Sequence, residues 1–410
     1  ARTLKSGQQP FYIMKNYEVL KRFCRKVYLA GSGNFWSEGD ETGDDTNMRY
    51  KVYRFILFSM YCCMTLLEIM AAVFGVFPKD EKKDSITFAV SHTIVMIKIF
   101  SMIFNKERVK MLNRKMITVC EMYEDEALMV QKYRTIKSNV AAYSIVVYAT
   151  AICFVYEGFR KVKNGSQFVT IVTYWPSFED DSIEAKAFRI LTTCVLFIMM
   201  VTMITIDSFA MMYLVVYKYK FISLRYYFER LRENFDKDLV FNETLAANQL
   251  TQGVVNGIKM HSELLRLYED IDQVFGTVLA LQVCQSSGSA VSLLLQIALS
   301  DDLTFVVAMK TILFVSGLFF LLALFVCNAG EITYQASLLS DSIFYCGWHA
   351  SAPQPPPQRD LRRLVLVATA RAQRPLVIKA FKMLELTYAT FIFVVRGTYS
   401  VFALFYAQNK

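Results

Sequence analysis

Residues 303–327 read LTFVVAMKTILFVSGLFFLLALFVC, and Lys310 is their only charge. About 20 mainly apolar residues suffice for a helix to cross the hydrocarbon core of a bilayer, and this stretch is longer. Working outward, the same pattern recurs at residues 271–299, 188–217, 140–156, 86–104 and 52–77 on one side, and at 384–407 on the other. In lipid a chain must satisfy its own backbone hydrogen bonds, so spans of this kind are helices. The expected fold class is an all-α membrane protein with seven transmembrane helices.

Composition points the same way. Hydrophobic residues make up 54% of 410, more than an ordinary soluble domain carries. A net charge of +9 would suit nucleic acid if the basic side chains formed a patch on a water-facing surface. They lie between the apolar runs instead, so no nucleic-acid partner is expected. Most cysteines sit inside those runs without paired metal spacing, which argues against a disulfide framework or a metal site. No cleavable leader is read ahead of the polar start, so the first span is expected to target the chain.

Lys and Arg then orient the molecule. With the N-terminus inside, they fall by a wide margin on the cytoplasmic segments. The expected order is a cytoplasmic segment 1–51, helices one to four in 52–217, and a cytoplasmic helical segment 218–270. Helices five and six follow in 271–327, a cytoplasmic segment in 328–383, and the last helix in 384–410, with an extracellular C-terminus. This is inverted relative to G-protein-coupled receptors. Two sequons test it: Asn164-Gly165-Ser166 falls outside and is expected to carry a glycan, while Asn242-Glu243-Thr244 falls inside.

The inversion, and the lack of a DRY triplet or NPxxY pattern, count against a G-protein-coupled receptor. A secondary transporter is the stronger alternative, although no internal repeat or proline-broken span is visible. An enzyme is not expected. The three histidines, His92, His261 and His349, are far apart, and no HExxH, GxSxG or phosphate loop occurs.

The sharper signal is C-terminal. After span six the chain reads Cys327-Asn328-Ala329-Gly330-Glu331, then ITYQASLLSDSIFYCGWHASAP over 332–353. A proline run at Pro353 and Pro355 to Pro357 is followed by a basic amphipathic segment, RDLRRLVLVATARAQRPL, over 359–376. Thr398-Tyr399-Ser400 stands near the end. This pattern resembles the insect odorant receptors, moth members in particular. The resemblance covers the whole chain in length, span count and orientation, and it is most specific from about residue 330.

The resemblance implies a ligand-gated, non-selective cation channel built as a tetramer around one pore. A variable odorant- or pheromone-binding subunit would combine with a shared, longer co-receptor in the plasma membrane of olfactory neuron dendrites. The short 218–270 segment marks this chain as the variable subunit. The ligand would be a volatile apolar molecule, with no cofactor. The cytoplasmic ends of spans four to six and segment 359–373 would form an anchor domain where subunits meet, and the last span would line the pore.

The resemblance also assigns residues. Thr398, Phe402 and Tyr406 share one face of the last helix, and the family pattern places the pore constriction there. On the residues alone, the aromatics equally suit contact with lipid or a neighbouring helix. For ligand, the outer halves of spans two to four offer Phe88, His92 and Met96; Tyr148, Ile152 and Tyr156; and Phe197 and Met200. Aromatics at helical spacing are also ordinary packing. His92 reads as a donor to an alcohol, aldehyde or ester, or as a satisfied core histidine, and the pattern favours the second. Glu68, Lys98, Asp207, Lys310 and Arg396 are charges within spans that need partners, and the sequence does not say which. The 359–376 segment suits either docking on the anchor or lying on anionic lipid.

Overall fold

The computed structural model describes residues 15–37, 39, 41–120, 123–298, 305–350, 357–381 and 383–408. The side chains of Lys310, Arg359 and Tyr406, the prolines at 353, 355 and 356, and Asp301 and Asp302 lie outside the described residues.

Ten α-helices are described: α1 (Asn16–Leu29), α2 (Met48–Phe74), α3 (Lys79–Phe104), α4 (Lys106–Thr118), α5 (Glu126–Lys163), α6 (Ile183–Leu239), α7 (Glu243–Ala298), α8 (Phe305–Phe344), α9 (Pro357–Ala372) and α10 (Tyr388–Gln408). Two-residue strands β1 (Lys379–Ala380) and β2 (Leu384–Glu385) pair antiparallel just before α10. Six helices, α2, α3 and α5 to α8, are long and apolar enough to cross a bilayer. The shorter apolar Tyr388–Leu404 of α10 makes the seventh.

The outward faces of these helices carry Phe55, Ile56, Val73, Ile145, Ile198 and Val201 in the open. In water such a surface would be a liability; in lipid it is the surface the solvent requires.

Element boundaries depart from the spans read in the sequence. Residues 218–239 do not form separate helices but continue α6, and 243–270 begin α7. The physical reason is local: α6 contains no Gly or Pro from Ile183 to Leu239, so nothing stops it at the membrane surface. Its polar extension is laced by Arg225–Glu229 at 3.4 Å and Arg232–Asp236 at 3.8 Å, both one turn apart. At 1.5 Å per residue α6 is about 85 Å long, so more than half of it must project beyond a 30 Å hydrocarbon core. The third span, read as 140–156, is the middle of the 38-residue α5, capped by the Asp125 carboxylate and closed by Arg160, Lys161 and Lys163. The last helix starts at Tyr388 rather than at 384 because the β1–β2 turn occupies the preceding residues.

The projecting ends of α6, α7 and α8 pack together, and α9 docks on α7 and α8 through buried Leu361, Val365, Ala368 and Ala372. Leu364 and Val367 of α9 face outward instead. Gly253 and Gly257 let α7 approach α6 closely: a Cβ at either position would collide with Leu231 or Phe228. The amphipathic α1 lies against α6 and α4, burying Val19, Leu20, Phe23, Cys24 and Val27.

A charged cluster ties α1, α5 and α6 together at this end. Glu124 bonds Lys132, meets Lys220 at 3.1 Å and accepts from the Asn16 amide at 3.0 Å. Burial alone would raise the Glu124 carboxyl, but Lys220, Lys132 and the hydrogen bonds outweigh it and hold the group below its ordinary value.

At the opposite end, the 164–182 loop folds down onto the bundle. Val169 and Val172 pack on Ala71 of α2, and the Tyr174 backbone N–H donates to the Leu67 carbonyl at 3.0 Å. Arg189 at the start of α6 holds the loop by donating to Gln167, Ser177 O and Phe178 O.

Candidate functional site

Within the membrane-spanning part, five helices enclose a cavity in which about 80 Å³ is open to the centre of a water-sized sphere. A single water needs about 10–15 Å³ on that measure, so the space holds several waters or one small molecule. α3 supplies Phe88, Ser91, His92 and Val95; α5 supplies Tyr143, Val146, Val147, Thr150 and Phe154. α6 adds Leu196 and three methionines, Met199, Met200 and Met203. α7 contributes Gln282 and Gln285, and α8 Phe314, Gly317, Leu318 and Leu321. Phe154 stands edge-on between Phe88, 5.0 Å away, and Phe314, 5.9 Å away, so three helices meet in one aromatic wall. The unbranched methionines can repack around guests of different shape.

Polar groups border the cavity, and nearly all are committed. Lys98 Nζ stands 3.4 Å from Asp207 Oδ1, donates to Gln285 Oε1 at 3.1 Å and also donates to Gln282. Tyr143 donates its hydroxyl to Asp207 Oδ2 at 2.9 Å, and Gln282 Nε2 donates to Ser286 at 3.0 Å. This network joins α3, α5, α6 and α7 beside the cavity. Ser91 pairs with Ser289 at 3.2 Å, and Thr150 donates to the Val146 carbonyl at 2.9 Å. His92 Nδ1 lies 2.7 and 2.8 Å from the two carboxylate oxygens of Glu68 on α2.

The charges left open by the sequence therefore find these partners: Glu68 takes His92, and Lys98 takes Asp207. Arg396 is exposed on α10 and makes no ion pair with the described residues of this chain.

Of the residues singled out for ligand, Phe88, His92 and Met200 border the cavity. Met96 is buried one turn further along α3 but does not border it. Tyr148, Ile152 and Tyr156 share a face, as read, and that face points outward: they are 37%, 63% and 60% exposed. Ile152 and Phe197 instead line an open groove between α5 and α6, together with Phe159, Gln167 and Arg189. The α5 residues that reach the cavity are Tyr143, Val146, Val147, Thr150 and Phe154, which the sequence reading passed over. A signal existed: Thr150, Gln282 and Gln285 are polar residues inside apolar spans, and such residues turn toward protein rather than lipid.

On α10, Thr398 is 3% exposed and donates to the Val394 carbonyl at 2.8 Å, so it faces α7 and α8 of its own chain. Phe402 is half-buried and lies 6.3 Å from the Tyr399 ring. Ile392, Phe393, Arg396, Tyr399 and Leu404 form the exposed side. Asn164 caps the C-terminus of α5, receiving the chain into the folded loop.

Comparisons place this architecture. The family model described as 7tm Odorant receptor matches residues 80–399. No curated protein sequence matches the chain. Among solved structures, the insect olfactory receptor OR5 from Machilis hrabei superposes with a TM-score of 0.76 at 12% identity, covering 95% of this chain and 97% of that one. The same receptor in complex with eugenol superposes with a TM-score of 0.76 at 13% identity, covering 96% and 98%. At such identity the superposition speaks for the fold alone; the family model speaks for descent over most of the chain. Matched by that family model over most of its length, and carrying six helices long and apolar enough to cross a bilayer with a shorter apolar seventh, this chain belongs to the insect odorant receptor family.

Proposed function

We propose that this receptor is the odorant- or pheromone-binding subunit of a ligand-gated, non-selective cation channel, working with a shared co-receptor in the plasma membrane of olfactory neuron dendrites. One observation carries the reading: the cavity and α10 share walls. α7 and α8 line the cavity on one side, and they are the helices against which α10 packs. A guest that spreads these walls, or moves the Lys98–Asp207 network anchored on α7, acts directly on the support of α10. The eugenol complex of the Machilis hrabei receptor supports a small volatile molecule as the ligand class.

In this reading α10 lines the pore, with its constriction at Phe402 and Tyr406, one and two turns beyond Thr398. The α9 region and the projecting ends of α6 to α8 anchor the subunits on the cytoplasmic side. A ring of apolar side chains closes a pore by excluding water, and a small widening rewets it. The burial of Thr398 against α7 and α8 makes Phe402 the better probe of that constriction.

Whole-cell currents test the proposal in cells expressing this chain with and without the co-receptor. Rapid ligand-evoked cation current that requires both chains, with no G-protein signalling, is the expected result. Saturable uptake without conductance would replace the channel by a transporter. Phe402→Ala is expected to raise basal leak or alter permeability ratios at unchanged surface expression.

A further inference from the structure

Glu68 is fully buried in a membrane-spanning helix, and the one side chain among the described residues that meets its carboxylate is His92. His92 is 8% exposed and borders the cavity, whereas Glu68 does not. Nδ1 is therefore spent on Glu68, and Nε2 has no hydrogen-bond partner among the described residues. Burying a net charge in this environment is costly, so the pair is held net neutral. Lys98, the cation further along α3, cannot offset a net negative pair because it is committed to Asp207.

Three protonation patterns are net neutral. An imidazolium can face a carboxylate, or a neutral imidazole can accept at Nδ1 from a carboxylic acid. The third, an Nδ1–H donating to the carboxylic acid, leaves the buried acid proton without an acceptor among the described residues and is the costly one. The first two keep the proton on Nε2. A second donor points the same way in kind. Lys98 fixes Gln285 with its carbonyl oxygen toward the ammonium, which leaves the amide N–H groups of Gln285 without a protein partner among the described residues. The hydroxyl protons of Tyr143 and Thr150 are already given to Asp207 and to the Val146 carbonyl. The cavity thus has spare donors within an apolar lining.

We propose that this receptor is tuned to apolar molecules ending in a carbonyl group (an ester, aldehyde or ketone) whose oxygen accepts from His92 Nε2, with Glu68 as the positioning residue that keeps the proton there. The proposal rests on the cavity being the ligand site. A hydrocarbon of equal length would leave the donor unpaired, and an alcohol would bring a second proton in need of an acceptor.

The test is a concentration–response panel on the full channel, chain plus co-receptor, using straight-chain esters, aldehydes, alcohols and hydrocarbons matched across several lengths. Carbonyl compounds should act at concentrations about tenfold lower than the matched hydrocarbons, the order set by one net hydrogen bond. His92→Phe should collapse that ratio toward one, and His92→Gln, which keeps an amide donor, should restore part of it. Glu68→Gln should lower the ratio, because an amide can hold either tautomer of the ring. The ratio is taken within each variant, so it does not depend on expression level. Met200→Trp, which fills the cavity, separates the two levels of the argument. If Met200→Trp abolishes responses but His92→Phe leaves the carbonyl preference intact, the cavity stands and the carbonyl handle falls. If Met200→Trp changes nothing, the cavity is not the ligand site. A panel in which no carbonyl compound acts also overturns the proposal.

Discussion

The buried charges of this receptor are costly to leave alone. A lysine or aspartate at the centre of a bilayer costs about 2.5–3.5 kcal/mol on the insertion scale, so Lys98 and Asp207 are tolerated because each answers the other. Lys98→Met would leave Asp207 with the Tyr143 hydroxyl as its one remaining partner among the described residues. Removing one partner of a buried pair is expected to cost about 3–5 kcal/mol, read as a lower melting temperature of the detergent-purified protein. Replacing both residues, as Lys98→Met with Asp207→Leu, should recover part of the loss; equal melting of single variant and parent would mean the pair contributes nothing. Glu124 gives a prediction of a different kind. Its carboxyl is held low in the folded chain, so its contribution is present above the ordinary carboxylate range and disappears as pH falls through the folded value. Glu124→Gln should therefore melt below the parent at neutral pH, and the gap should close under acid. A gap that widens in acid would contradict that sign.

Helix-level behaviour follows from continuity and close approach. Because α6 and α7 run unbroken from the cavity to the projecting end, a shift at Met199 or Gln282 moves a lever rather than a hinge. The lever is held by the contact at Gly253 and Gly257, where Leu231 and Phe228 of α6 fill the space a side chain would take. Tyr227 adds a hydrogen bond to the Gly253 carbonyl at 2.8 Å. Gly257→Val is expected to separate the two helices and lower the yield of folded protein in fluorescence-detected size exclusion. Gly288, with nothing within 4 Å of the place its Cβ would take, should accept alanine without that loss. Similar profiles for the two variants would show that the α6–α7 approach is not what holds this end together.

Across the whole molecule, the orientation in the membrane is what the two sequons test. Asn164 closes α5 at the end carrying the 164–182 loop, and Asn242 lies at the other end, the full length of α6 away. With the N-terminus in the cytoplasm, a glycan is expected on Asn164 and never on Asn242; enzymatic deglycosylation of single Asn→Gln variants checks it by gel shift. Much of this architecture was legible beforehand. The number of spans, the all-helical class and the family could be read because apolarity over about 20 residues is a property of the local chain, and the C-terminal pattern from Cys327 onward is local as well. The inward face of each helix was not legible. On α5, Tyr148, Ile152 and Tyr156 made as good a stripe as Tyr143, Val147, Thr150 and Phe154, since in lipid both faces of a helix are apolar and hydrophobicity no longer marks the core. Nor could the sequence pair Glu68 with His92 or Lys98 with Asp207, residues 24 and 109 positions apart. Helix rotation and neighbour identity are set by packing between segments distant in the chain. The sequence determined that this is a seven-helix receptor; the tertiary structure decided which side chains surround its cavity and which of them still have a proton to offer.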